Sequence, residues 1–171
     1  MKLLICGDIN AGKSTLIQKI VEKSGRKPLG YITVRMPAED DGRSYVYLYN
    51  VADPPERVED AAVIKILSPS GKEDHPELLD TLGASYLADI PEGSLVVLDE
   101  IGTLESAAPV FCSAVMRILS GNYDILASVK AANSEFLRAV RKHPDCELYI
   151  ITPDNRDRLC TELSEEYFPV Q

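Results

Sequence analysis

The sequence offers little that would build a metal cluster, a membrane span or a disulfide framework. Its four cysteines, Cys6, Cys112, Cys146 and Cys160, are widely spaced without a CxxC pair, and only two histidines, His75 and His143, stand beside them. Zinc-ligand spacing is therefore absent, and the cysteines read as reduced structural thiols of a cytoplasmic protein. No apolar run approaches the roughly 20 residues that a membrane span needs. The opening Met1-Lys2-Leu3-Leu4-Ile5-Cys6 meets Gly7 too soon for a secretory leader, so it is expected to be a strand. Basic residues are in deficit as well: 18 Lys and Arg against 27 Asp and Glu leave a net charge of −9. A field of that sign repels phosphate backbones and anionic headgroups unless a local basic patch overrides it, which disfavours nucleic acid and membranes as partners. At 45% apolar and 26% charged residues, disordered and coiled-coil readings lose, and 171 residues suit one domain, residues 1–171.

What is present is alternation. Lys2 to Cys6 is a short apolar run, and Lys13 to Lys23 carries Leu16, Ile17, Ile20 and Val21 at helical spacing. Leu29 to Val34 and Tyr45 to Val51 read as extended segments around an acidic turn at residues 39–43, as in a hairpin or meander. Ala61 to Leu67 suits another strand, and Pro76 to Ala88 a helix closed by Pro91. Leu95-Val96-Val97-Leu98 is apolar throughout, as expected of a central strand buried on both faces. Helix Ala107 to Leu119, strand Tyr123 to Val129, helix Ser134 to Lys142, strand Glu147 to Thr152 and a last helix from Pro153 or Asp154 complete the chain. Strand and helix alternating without internal repeats predicts an α/β three-layer sandwich with a mostly parallel sheet.

The most specific motif is Gly7-Asp8-Ile9-Asn10-Ala11-Gly12-Lys13-Ser14, which satisfies GxxxxGK[ST] between a strand and a helix. Gly7 and Gly12 permit a wrap whose backbone N–H groups form an anion nest, and the helix N-terminus adds about half a positive charge. A triphosphate fits such a cradle. Lys13 then reaches the β- and γ-phosphates, the Ser14 hydroxyl ligates Mg²⁺, and Thr15 helps at the α-phosphate. The run Leu95 to Leu98 ends in Asp99-Glu100, the second acidic element such a site needs. Asp99, at the carboxyl end of a neighbouring strand, would complete the Mg²⁺ shell opposite Ser14, and Glu100 would orient water and take its proton. A kinase must instead hold a hydroxyl acceptor behind an Arg-rich lid, and the sequence has no such arginine cluster. A nucleotide-dependent interaction switch with slow hydrolysis is the third class.

With these motifs in order, the chain resembles the P-loop nucleoside-triphosphatases of the thermophilic, or cancer-related, NTPase family. The likeness is carried by Gly7 to Thr15, by Gly30-Tyr31-Ile32-Thr33, by Val97-Leu98-Asp99-Glu100-Ile101-Gly102-Thr103-Leu104-Glu105, and by Thr152-Pro153-Asp154-Asn155-Arg156-Asp157. The resemblance implies a RecA-like sheet and slow, Mg²⁺-dependent hydrolysis of nucleoside 5′-triphosphates, ATP and GTP among them, to diphosphate and phosphate. Two places depart from the family pattern: Thr33-Val34-Arg35 is shorter and followed by the acidic turn Glu39-Asp40-Asp41-Gly42-Arg43, and Asp8 places a carboxylate in the phosphate loop, expected to point outward.

Other residues carry weaker signals. Tyr45, Tyr47 and Tyr49 alternate along one strand and could stack on a base or simply form a half-buried face. Lys130 and Ser128, at the end of a strand, are placed to sense a γ-phosphate. Arg35, Arg43, Arg57 and Arg156 are the arginines available to stabilise a transition state, and the sequence does not choose among them. Glu105 either supports Glu100 or caps the helix that follows.

Overall fold

The computed structural model describes residues 1–167. Among them eight strands form one sheet of order β5-β4-β3-β2-β6-β7-β1-β8. The parallel part comprises β1 (Lys2–Gly7), β2 (Leu29–Arg35), β6 (Leu95–Ile101), β7 (Asp124–Lys130) and β8 (Glu147–Ile150). Strands β3 (Ser44–Asn50), β4 (Ala62–Ser68) and β5 (Gly71–Asp74) extend it from β2 as an antiparallel meander. The short β5 escapes sequence reading because Gly-Lys-Glu-Asp has no apolar alternation; it is an edge strand, and its charges face water.

Residue alternation along the central strands sorts their side chains into two cores. Leu3, Ile5, Leu95, Val97 and Leu126 pack with Leu16, Ile17 and Ile20 of α1 (Lys13–Ser24) and with Leu159 and Leu163 of α6 (Arg156–Tyr167). Their neighbours Leu4, Val96, Leu98, Ile125 and Ala127 face the other way, onto Phe111, Val115 and Ile118 of α4 (Pro109–Ser120) and Leu137 and Val140 of α5 (Glu135–Arg141). Two helical layers therefore flank the sheet, which is the expected three-layer arrangement. Ser134 caps α5 by accepting from the Leu137 N–H at 3.1 Å, as its position before an apolar helix predicts. The expected helix from Pro76 is present as α2 (Pro76–Leu78) and α3 (Ala84–Tyr86), joined through a π turn at Leu79–Gly83. That wide turn sets Gly83 against the Phe111 ring, where a Cβ would lie 2.9 Å from ring carbons.

Strand β2 is seated against β6 at Gly30, whose φ is +110° and where a Cβ would overlap the Val97 carbonyl oxygen. Only glycine tolerates both conditions. Gly30→Ala is expected to lower unfolding free energy by at least ~2 kcal/mol, read as a shifted urea midpoint. A wild-type midpoint would contradict this close approach.

Candidate active site

The phosphate loop leaves β1 at Gly7, where a Cβ would meet the Ile151 carbonyl oxygen at 2.5 Å, and enters α1 at Gly12, with φ +100°. Asn10 also adopts a left-handed conformation, φ +63°, which suits its short polar side chain. No side chain caps α1, so its first N–H groups remain directed at the loop's interior. Lys13 is buried at 6% exposure, and its Nζ donates to the carbonyls of Gly7 and Asp8 at 3.1 and 3.0 Å. Asp8, Ile9, Ser14 and Thr15 are exposed, whereas Ala11 is buried in the core under α1. Asp8 is not among the residues facing the cleft described below, in keeping with an outward carboxylate. Arg156 lies across Gly12, its Cδ 2.5 Å from where a Cβ would stand.

The acidic strand requires a correction. The sequence reading makes it a neighbour of the phosphate-loop strand, yet β7 lies between β1 and β6. The distance is closed by α1, which runs over β7 and β6 on its way back across the sheet and carries Ser14 to Asp99. A second device then separates the two acids. Leu98 pairs with Ala127 and Ile101 with Val129, so Asp99 and Glu100 together oppose Ser128 alone. By strict alternation Ile101 would join Leu95 and Val97; it packs instead with Val96 and Leu98. This bulge shifts the alternation by one residue.

Asp99 stays on the α1 side, 4% exposed, accepts a hydrogen bond from Ser128 Oγ and lies close to the Ser14 hydroxyl. Burial pushes its carboxyl above the usual range, against the lowering effect of those two hydroxyls. Glu100 turns into the cleft. Its N–H donates to Thr33 Oγ1 at 3.1 Å, and its Oε1 lies 3.3 Å from Lys130 Nζ.

The cleft holds about 520 Å³. Five cationic side chains line it, Lys13, Arg35, Lys65, Lys130 and Arg156, against the single carboxylate of Glu100. In a chain of net charge −9 this is the local positive patch that composition alone could not reveal. Strand β4 contributes Lys65, which sequence reasoning missed because a lone lysine on an outer strand gives no signal. Of the arginines left open, Arg35 and Arg156 line the cleft, with Arg35 Nε held 3.1 Å from Ser44 Oγ. Arg43 pairs with Asp41 at 3.4 Å and Arg57 with Glu59 at 3.8 Å, and neither lines the cleft. The acidic turn is likewise absent from its lining; it closes on itself through Gly42 N–H to the Glu39 carbonyl, 2.8 Å. Nor do the tyrosines form a stacking row. The Tyr45 and Tyr47 rings lie 6.3 Å apart, Tyr47 is buried, Tyr49 faces a separate cavity beside α1, and none of the three lines the cleft.

Glu105 is the least expected member. It sits in the 3₁₀ turn Leu104–Ala107, only 4% exposed, with the N–H groups of Glu105 and Gly102 near its carboxyl, and among the described residues no side-chain cap is seen on that turn or on α4. Its Oε2, however, is buried without a hydrogen-bond partner. Burial raises its pKa to about 7, with Lys130 and the two N–H groups lowering and Glu100 raising it. Beneath it Tyr31 is fully buried with an unpartnered hydroxyl, packed edge-on to Phe111 at 5.2 Å. Because the folded pKa of Glu105 exceeds the unfolded value, the native state binds more protons, and stability falls as pH rises from about 4.5 through about 7. Glu105→Gln is therefore expected to unfold like wild type near pH 4.5 and to be more stable by ~3 kcal/mol at pH 8. Equal stabilities at pH 8, by denaturant titration, would contradict the burial of this charge.

Comparison with known proteins agrees with this geometry. The family described as NTPase matches residues 2–164. The chain is 26% identical to nucleoside-triphosphatase THEP1 of Methanosarcina barkeri over 172 residues, covering 98% of this chain and 97% of that one. It is 30% identical to THEP1 of Ignicoccus hospitalis over 168 residues, covering 95% and 94%. The match to THEP1 of Thermofilum pendens is 35% over 95 residues and spans 52% of that relative. The crystal structure of THEP1 from Aquifex aeolicus superposes with a TM-score of 0.74 at 21% identity, covering 95% of this chain and 96% of that one, a likeness of fold.

Proposed function

This chain belongs to the NTPase family and is a nucleoside-triphosphate hydrolase, and from that premise we propose the roles of its residues, its cofactor and its substrates. The observation that carries the proposal is Glu100 entering the cleft formed by the phosphate loop while Asp99, one residue before it, reaches Ser14. In this reading the backbone of residues 8–14, with Gly7, Gly12 and Thr15, cradles the phosphates of ATP or GTP, and Lys13 exchanges its two loop carbonyls for β- and γ-phosphate oxygens.

The donor set beside the cradle fits Mg²⁺. Ser14 and Asp99 would supply two hard oxygens that lie close together, Ser128 orients the carboxylate, and phosphate oxygens and water would fill the remaining positions. When bound there, the ion neutralises charge on the β- and γ-phosphates. Glu100 orients the attacking water and receives its proton as the water oxygen bonds to the γ-phosphorus. The bond from phosphorus to the bridging oxygen breaks, and its electron pair leaves with the diphosphate. We further propose that residues 1–171 form one domain, since both cores draw on β1, β6 and β7 of the one sheet. Cytoplasmic operation is supported by the four free cysteines. No helix among the described residues is long and apolar enough to cross a membrane.

One observation favours a second reading, phosphoryl transfer to an organic acceptor. A cavity of about 520 Å³ beside α1 shares Ser14, Thr33 and Arg35 with the phosphate cleft, is also lined by Asp99, and has apolar walls from Ile17, Val21, Ile32 and Val51. Stoichiometric release of inorganic phosphate with no acceptor added separates hydrolysis from transfer.

Phosphate release from ATP and GTP is expected to stop on chelation of divalent ions and to return with Mg²⁺. Lys13→Ala should abolish both binding and turnover. Glu100→Gln should bind the triphosphate normally and turn over ~10²- to 10⁴-fold more slowly. Hydrolysis retained in Glu100→Gln rejects this residue as the base.

A further inference from the structure

We propose that Lys130 is a further catalytic residue with two stations, the Glu100 carboxylate and the terminal phosphate of a bound triphosphate, and that buried Glu105 is the positioning residue keeping its ammonium within reach of both. The inference rests on the assignment of Glu100 as base.

Lys130 is the last residue of β7, and its side chain reaches the cleft over Gly102. A Cβ at Gly102 would lie 3.1 Å from Lys130 Cδ, 3.4 Å from its Nζ and 3.2 Å from Glu105 Oε2, so the missing side chain leaves room for the lysine and the buried carboxyl on the same side of the backbone, near each other without an ion-pair contact. The ammonium lies 3.3 Å from Glu100 Oε1, an oxygen that is buried and makes no hydrogen bond. The hold is thus a charge contact without a directed bond. Lys130 is also 42% exposed, and an ion pair in that setting is only weakly held. A terminal phosphate with about two negative charges, seated in the same cleft, outcompetes one carboxylate for this cation.

Transfer of Lys130 has two effects. Its N–H groups reach non-bridging γ-phosphate oxygens, where charge must be balanced as the bridging bond breaks. Glu100 loses its cation and is open to accept a hydrogen bond from the attacking water. Without a terminal phosphate the base stays occupied, so a diphosphate leaves the site in its resting arrangement. Glu105 explains why Lys130 stays beside the site when it leaves Glu100. Its Oε2 is buried, without a hydrogen-bond partner among the described residues and on the same side of Gly102 as the lysine stem, and the N–H groups of Gly102 and Glu105 lie near the carboxyl. Tyr31 and Cys112 pack around it without serving that oxygen; the Cys112 thiol donates to the Glu105 main-chain carbonyl instead. An uncompensated buried carboxyl is costly, and holding a mobile cation gives this one a function.

Calorimetric dissociation constants for the β,γ-imido analogue of ATP and for ADP, each with Mg²⁺, test the phosphate station without depending on which residue is the base. In Lys130→Met the ADP affinity should stay within about twofold, which also reports a folded site, while the preference for triphosphate over diphosphate falls about tenfold. Turnover should fall ~100-fold, and Lys130→Arg should restore most of both. Lys130→Met with wild-type preference and turnover overturns the proposal, and so does faster turnover, which would make Lys130 only a clamp on Glu100. For Glu105, the Glu105→Gln change should reduce triphosphate preference in the wild-type background and have no further effect in Lys130→Met. Equal losses in both backgrounds would mean that Glu105 acts only in folding. Full hydrolysis by Glu100→Gln would reject the base assignment while leaving the binding preferences of the Lys130 variants as a separate result.

Discussion

Setting a carboxylate beside a triphosphate brings charges of like sign together, and much of the structure is organised around that repulsion. A hydrolase of this kind needs an acid to hold water and a polyanion to be attacked, both in one cleft. The fold supplies positive potential from three sources: the uncapped amino end of α1, the ammonium of Lys13 folded into its own loop, and cationic side chains arriving from β2, β4, β7 and α6. These charges are concentrated in a molecule whose net charge has the opposite sign, so the field around the cleft differs from the field of the whole. The acids themselves are divided by the bulge in β6. One is drawn under α1 beside the Ser128 hydroxyl, and the other is turned toward the cleft.

The same arrangement accounts for polar groups that a core built only for stability would avoid. Asp99, Glu105 and Tyr31 are all buried, and the last two keep an oxygen without a partner. Local departures of this sort concentrate where chemistry is done, because a site must hold charge in places that folding alone would fill with carbon. The surrounding structure can sustain them because β1, β6 and β7 are apolar on both faces and pack two independent cores. Rigid strands carry the reactive side chains at their carboxyl ends, and loops of fixed geometry connect them.

The resemblance to the thermophilic NTPase family agrees with the wider comparisons, and it places an interpretation on residues that geometry alone leaves ambiguous. Lys130 on Glu100, Lys65 from β4 and the acidic turn folded away from the cleft are visible only in three dimensions.

Much of this was legible in the linear order of residues. The phosphate loop between Gly7 and Thr15, the apolar run ending in Asp99-Glu100 and the alternation of strands with helices are local patterns, set by steric and hydrophobic preferences acting over a few residues. They determined the fold class and singled out the phosphate loop and the two acids as candidates. Tertiary structure decided the rest. That β7 separates β1 from β6, that Asp99 and Glu100 diverge at a bulge, and that Arg35 and Arg156 reach the cleft while Arg43 and Arg57 do not all depend on strand order and register. Those are fixed by how whole surfaces pack against each other. A single position carries no record of which distant partner its side chain will meet, so the electrostatics of the cleft emerged only when the chain was closed on itself.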